Sequence, residues 1–161
     1  MEIVRKTCTL APAAGQGDVV VLMEEGFVAR PEPRELDFWV SDDEAGILGG
    51  VDDLMFGKPD WQRVESPYGT PHLLLAHNPD HFYEAVARGV PLMLAGHTHG
   101  GQIRLPNGPP IIRQSRYCLD EGIYACAAST LVVSRGLGSV ALPLRWGADP
   151  EAVLIEIVAP A

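Results

Sequence analysis

An α/β fold rich in β-structure is predicted by three features of the 161-residue sequence. Residues 73–95 read as strand, short helix, strand, which is the smallest α/β unit. Each strand of that unit runs directly into a histidine-bearing turn. The last third is a succession of short β-type segments divided by turns, in a chain with 17 glycines and 14 prolines. Apolar residues make up 47% and charged residues 20%, enough apolar material to form a core rather than a disordered coil.

The first seventeen residues, ending in Pro12-Ala13-Ala14-Gly15-Gln16-Gly17, read as a loose lead-in, because Gly, Ala and Pro cluster there without periodicity. Residues 19–23 (Val-Val-Val-Leu-Met) form a buried-strand candidate, with residues 27–29 as its candidate partner. Residues 36–41 alternate, and residues 45–51 make a short apolar strand ending in glycines. Asp52-Asp53 follow, then a loop through Gly57-Lys58-Pro59-Asp60. Residues 72–77 are an apolar run flanked by His72 and His77. Asn78-Pro79-Asp80 opens a helix over residues 81–88: Pro79 suits a first-turn position, Asp80 complements the helix dipole, and Gly89 ends the helix. Residues 90–95 repeat the apolar run and lead into Gly96-His97-Thr98-His99-Gly100-Gly101. Further strands are expected at 102–105, 123–127, 131–134 and 152–158, as a sheet folding back over the first.

Charge narrows the function classes. Lys+Arg 12 against Asp+Glu 21 leaves a net charge of −9. Nucleic acid is therefore excluded as a binding partner, since a phosphate backbone needs a basic face. Any phosphate chemistry here requires metal ions to supply positive charge. No apolar run approaches the roughly 20 residues of a membrane span. Residues 1–6 lead into no apolar h-region, so neither a membrane segment nor a signal peptide is expected. Cys8, Cys118 and Cys126 are too few and too scattered for a disulfide framework or a CxxC zinc site. Reduced thiols and a cytoplasmic setting follow.

The histidines carry the chemistry. Ligands collect at the carboxyl ends of strands in an open α/β sheet, and His77 and His97 each stand just past such an end. If the two strands are neighbours, the imidazoles lie side by side. His97 and His99 are two apart; an extended segment or a glycine-permitted turn would aim both rings at one point. Neutral imidazole suits zinc, manganese and iron-type ions. His77, His97 and His99 are thus the candidate metal ligands. A lone histidine at a strand end is more often a hydrogen-bonded surface residue, and His72 and His81 are read in that way.

Ala76-His77-Asn78-Pro79-Asp80 followed by Leu94-Ala95-Gly96-His97-Thr98-His99-Gly100-Gly101-Gln102 resembles the later motifs of calcineurin-like metallophosphoesterases. Gly49-Gly50-Val51-Asp52-Asp53 upstream and Val133-Ser134-Arg135-Gly136-Leu137-Gly138, Pro143-Leu144-Arg145 and residues 150–157 downstream agree in order. The resemblance spans roughly residues 19 to 158, and the combination is similar to a bacterial branch often tethered to membranes, which implies a location in the cytoplasm or peripheral to a membrane. It implies a four-layer α/β/β/α sandwich with a dinuclear site of two divalent ions (Mn, Fe, Zn or similar). The implied activity is hydrolysis of phosphate mono- or diesters by metal-activated water. Under it, His77 and His97 ligate one metal and His99 the other, while Asn78 and Asp80 are assigned none. Asp53, with Asp52, matches a loop facing the site; substrate contact and plain loop capping both fit. Arg135 could meet a substrate phosphate through its planar guanidinium or pair with a local acid.

Three further motifs of that family, Asp-x-His, Gly-Asp-x-x-Asp and Gly-Asn-His-Asp/Glu, are absent from this sequence. Gly17-Asp18-Val19-Val20-Val21 begins like the second but has Val21 in place of the later Asp. The catalytic Asn-His pair is missing with them, so no catalytic residue is assigned. The expected organisation is an unmatched lead-in (1–17) followed by the C-terminal half of a metallophosphoesterase domain (18–161), as a truncated product, a misplaced start or a subunit completed by another chain. Three neutral imidazoles offset none of the repulsion between two dications, so at most one ion is expected to be held well. Such a half-domain would expose apolar faces, which self-association or a complementing chain would cover. The alternative is a non-catalytic remnant or interaction module with a three-histidine metal site.

Overall fold

The computed structural model describes residues 2–9, 38–42, 46–65, 69–106 and 108–158. The strand candidates at 19–23 and 27–29, and the Gly17-Asp18 stretch, lie outside the described residues. The described strands are β1 (Glu2–Thr9), β2 (Phe38–Asp42), β3 (Gly46–Val51), β4 (Leu73–Ala76), β5 (Leu92–Ala95), β6 (Gly122–Cys126), β7 (Ser129–Val133) and β8 (Glu151–Val158). The helices are α1 (Trp61–Val64) and α2 (Phe82–Ala87).

Six strands make one sheet in the order β2-β3-β4-β5-β7-β6, and β1 pairs with β8 in a second. Strands β3, β4, β5 and β7 are mutually parallel, with β2 and β6 antiparallel at the two edges. The register sets Val51 beside Ala76, Leu75 beside Leu94, and Ala95 beside Val133. The carboxyl ends of four neighbouring strands therefore finish level at one edge of the sheet.

Both faces of the central strands are covered, which is why they read as nearly continuous apolar runs. Leu74, Ala76, Met93, Ala95, Leu131 and Val133 point to the helical side, against Val64 of α1 and Phe82 and Ala85 of α2. Leu92, Leu94 and Val132 point the other way, against Val153 and Ile155 of β8. The two sets alternate along each strand with period two. Burying each large apolar side chain contributes about 1.5–3 kcal/mol, so both layers are needed to hold the sheet. Helices, six-stranded sheet and the β1–β8 pair are three successive layers of the expected α/β/β/α sandwich.

Local signals account for the strand-to-helix connection. Asn78 Oδ1 accepts the Asp80 backbone N–H at 2.9 Å, and Pro79 occupies the first position of a 3-10 turn that leads into α2. The chain turns away from α2 at Gly89, where φ is +75°. Before α1, Asp60 Oδ1 accepts the Gln62 N–H at 3.0 Å. With four residues, α1 is too short for a helical period to be visible in the sequence.

Three expectations are corrected. Residues 2–9, expected in a loose lead-in, form β1, whose eight residues pair in parallel with β8. Residues 102–105 form no strand; they leave a 3-10 turn through isolated bridges, Ile103 to Trp146 and Arg104 to Pro110. The late segments do not make one back-folded sheet. β7 inserts beside β5 as a further parallel strand, with β6 hairpinned to it, and of these segments β8 alone joins the second sheet.

Candidate metal centre

The level strand ends bring three donors together. Asp53 lies two residues past β3, His77 immediately past β4, and His97 two residues past β5. One carboxylate oxygen of Asp53 and one ring nitrogen of each histidine lie within 4.8 Å of one another. His77 Nε2 is 3.1 Å from His97 Nδ1, with the rings edge-on at 78°. Adjacent ligands of one tetrahedral ion with bonds of 2.0–2.1 Å stand about 3.3 Å apart, close to that spacing.

Asp52 and Asp53 divide the loop work. Asp52 accepts the Asp53 and Lys58 N–H groups, each at 2.8 Å, and so braces the turn. A Cβ at Gly57 would collide with the Asp52 carboxylate, so a larger residue there would displace this brace. Asp53 Oδ1 accepts the Met55 and Phe56 N–H groups at 2.8 Å. Its Oδ2 is buried without a hydrogen-bond partner among the described residues. A buried carboxylate oxygen in that state is costly unless a cation meets it. Two imidazoles and this carboxylate form a donor set that fits a divalent ion. Asp53, expected at a substrate or a loop cap, is a cap and also a member of the candidate donor group. The strand-end rule that singled out His77 and His97 would have found it, applied to one more strand.

His99 stands apart from that trio. The His97-Thr98-His99 segment is not extended: φ is +68° at His97 and +52° at His99, with Thr98 in the helical region. His99 is buried, and its Nδ1 lies 3.1 Å from the Gly138 carbonyl. A carbonyl only accepts, so Nδ1 carries the proton and the lone pair is on Nε2. A ligating histidine is commonly oriented by this kind of bond. The tight turn depends on its glycines: a Cβ on Gly101 would collide with Pro110, and one on Gly100 with the Arg135 side chain.

Several residues that hold this turn were not visible in the sequence. The buried Thr98 donates its hydroxyl to the Asp120 carbonyl at 2.5 Å. Gln102 clamps the following loop, donating to the Val140 and Leu142 carbonyls and accepting the Val140 N–H. Arg145 gathers five carbonyls: Ala148 on Nε, Gly136 and Gly138 on Nη1, and His99 and Arg135 on Nη2. Only a planar fork reaches all of them. Arg145→Lys is therefore expected to lower stability by about 2–4 kcal/mol, several charge-assisted bonds being lost together. Urea denaturation measures this; an unchanged midpoint would mean that the loop holds itself.

Arg135 pairs with local acids in this structure. Its Nη2 pairs with Glu151 at 2.8 Å, its backbone N–H donates to the same carboxylate at 2.9 Å, and Glu121 lies 3.6 Å from its Nε. His81, expected at the surface, is only 2% exposed. Its Nε2–H donates to the Asp52 carbonyl at 2.9 Å, which ties the Asp53 loop to α2. His72 is half-buried, and its Nδ1 accepts the Ile47 N–H at 2.9 Å.

The chain is similar to several known proteins. An uncharacterised metallophosphoesterase of Bacillus subtilis (strain 168), YkuE, is 39% identical over 113 residues, which is 68% of this chain and 40% of that protein. Phosphodiesterase YaeI of Escherichia coli (strain K12) is 42% identical over 118 residues, 69% of this chain and 41% of that protein. The chain belongs to the metallophosphoesterase family. This metallophosphoesterase chain thus spans about two fifths of the length of the curated relatives it matches. A third relative, protein YpbG of Bacillus subtilis (strain 168), is 33% identical over 118 residues. No family model and no solved structure matches the chain. Among the described residues, no helix is long and apolar enough to cross a membrane.

Proposed function

We propose that this chain is the histidine-bearing part of a metal-dependent phosphoesterase that hydrolyses phosphate mono- or diesters. The observation that carries the reading is the convergence of Asp53, His77 and His97 at three adjoining strand ends. These three residues would hold one divalent ion, Mn, Fe or Zn. His99 would serve a second ion through Nε2, its Nδ1 proton being given to Gly138. When bound, such ions supply positive charge to phosphate oxygens and lower the pKa of an attacking water. The chain's own part is orientation: the Thr98–Asp120 bond and the Arg145 fork fix the turn, and His81 fixes the Asp53 loop.

A second reading, a non-catalytic module holding a single ion, draws support from the donor count. The described group contains one carboxylate, and the sequence lacks the three upstream carboxylate-bearing motifs. Both readings predict one well-held ion per chain. Zinc titration followed by histidine-ring NMR tests this: perturbation should saturate at one equivalent and centre on His77 and His97. Equal perturbation of all five histidines would defeat both.

The free thiols of Cys118 and Cys126 suit a reducing, cytoplasmic setting. Exposed Leu142, Leu144 and Trp146 supply apolar surface for self-association or for a complementing chain. Residues 18–161 would be the phosphoesterase portion, with residues 2–9 joined to it through β8.

A further inference from the structure

An open cleft of about 390 Å³ is lined by Leu54, Met55, Asn78, Asp80, Arg113 and Arg116 among others. Its walls continue the ligand residues, since Leu54 follows Asp53 and Asn78 follows His77. A third connection runs through the fold. Thr98, between the two histidines of the turn, donates to the Asp120 carbonyl, and the Asp120 carboxylate accepts from Arg113 Nη1 at 2.8 Å.

The polar groups of this cleft are mostly donors. Asp120 is 8% exposed at its side chain and Arg113 39%, so a buried acid anchors one corner of a guanidinium that still reaches solvent. That bond uses one of the five N–H donors of Arg113. Arg116 is exposed; its backbone N–H donates to Asp80 at 2.9 Å, and its guanidinium pairs with no acid among the described residues. Both Asp80 oxygens are engaged, one by Ser115 Oγ at 2.5 Å and one by that N–H, which offsets the one carboxylate in the wall. Asn78 spends its Oδ1 on the Asp80 N–H, which leaves its amide N–H₂ facing no acceptor among the described residues. A chain of net charge −9 thus sets two arginines and an amide in a cleft whose walls include the residues that follow Asp53 and His77.

We propose that this cleft receives the leaving portion of the substrate and selects phosphate esters carrying a second oxyanion, clasped by Arg113 and Arg116. The proposal builds on the metal reading above. A leaving group without charge would gain nothing from two guanidiniums, whereas a second phosphate or a carboxylate pairs with their forks. A cleft of this volume is at the lower end of the range that encloses a small organic ligand, about 300–1,000 Å³. In that arrangement the reacting phosphate would meet Asp53, His77 and His97, and the second anion would reach the arginines past Asn78.

Calorimetric titration of the manganese-loaded chain with propylphosphonate, phosphonopropionate and propylenediphosphonate tests the idea. The two ligands with a second oxyanion are expected to bind about tenfold more tightly than propylphosphonate, the tighter of them telling carboxylate from phosphate. Arg116→Gln should remove most of that preference, and Arg116→Glu should reverse it, with manganese affinity unchanged in both. Arg116 is the residue to replace because Arg113→Gln would strand the buried Asp120. His97→Ala should weaken all three ligands alike and keep their ratio. If His97→Ala changes nothing while Arg116→Gln abolishes the preference, the cleft stands and the metal reading falls. A wild type without preference, or a preference untouched by both Arg116 variants, overturns the proposal.

Discussion

The His97→Ala variant is expected to bind manganese or zinc about a hundredfold more weakly than the wild type. Loss of a residue that merely orients a ligand typically costs 10–100-fold in metal affinity, so loss of a direct donor belongs at or beyond the upper end. His97 Nδ1 lies 3.1 Å from His77 Nε2 and is grouped with Asp53. Asp53→Asn keeps the shape and the oxygen acceptor for Met55 and Phe56 but removes the negative charge of the set. About a tenfold loss is expected there, since carboxylate donors are retained by dications for their charge. His72→Ala is the control, because its ring serves the Ile47 N–H and stands outside the group. Its affinity should stay within about twofold of wild type. His81 is unsuitable as a control: it is buried and holds the Asp53 loop through the Asp52 carbonyl. Equal losses at His72 and His97 would mean that the metal binds without a site.

What the sequence could disclose followed from local rules. Continuous apolar runs ending in Gly or His marked β3, β4 and β5, because strands buried on both faces show no alternation and stop where the chain leaves the sheet. Asn78-Pro79-Asp80 marked the turn into α2 through its cap and its proline. The misses are non-local. β1 pairs with a strand from the opposite end of the chain, and nothing within residues 2–9 names that partner. The insertion of β7 beside β5 is likewise a choice of neighbours, which residue types do not encode singly. In the site, His77 and His97 were legible because each closes a strand. Asp53 also follows a strand end, that of β3, but its place in the group depends on β3 being the neighbour of β4, which its residue type does not encode. Arg135 shows the opposite case. Its residue type suits a phosphate equally well, and only the arrival of Glu151 from β8 reveals how its charge is spent.

The 161-residue chain, supplied with manganese, is expected to hydrolyse bis(p-nitrophenyl) phosphate at least about a hundredfold more slowly than a chimera carrying the missing motifs. In the chimera, a segment with Asp-x-His, Gly-Asp-x-x-Asp and Gly-Asn-His-Asp/Glu precedes residue 18. The expectation rests on charge. Two dications about 4 Å apart repel by roughly 15–20 kcal/mol at an effective dielectric of 20. Imidazoles are neutral donors and offset none of it. Asp53 brings one negative charge to the His77–His97 ion, and the described donor group holds no second carboxylate for an ion at His99. The second ion would therefore dissociate first, and with it half of the positive charge that a phosphoryl group needs in its transition state. Arg135 cannot substitute, because Glu151 and Glu121 already hold its guanidinium. The two proteins are compared at matched metal concentration, with His99→Ala made in each. That substitution should abolish the chimera's turnover and leave the slow rate of the 161-residue chain nearly unchanged. Full metal-dependent turnover by the 161-residue chain, lost in His99→Ala, would instead show that Asp53 and three histidines hold two ions without a bridging carboxylate.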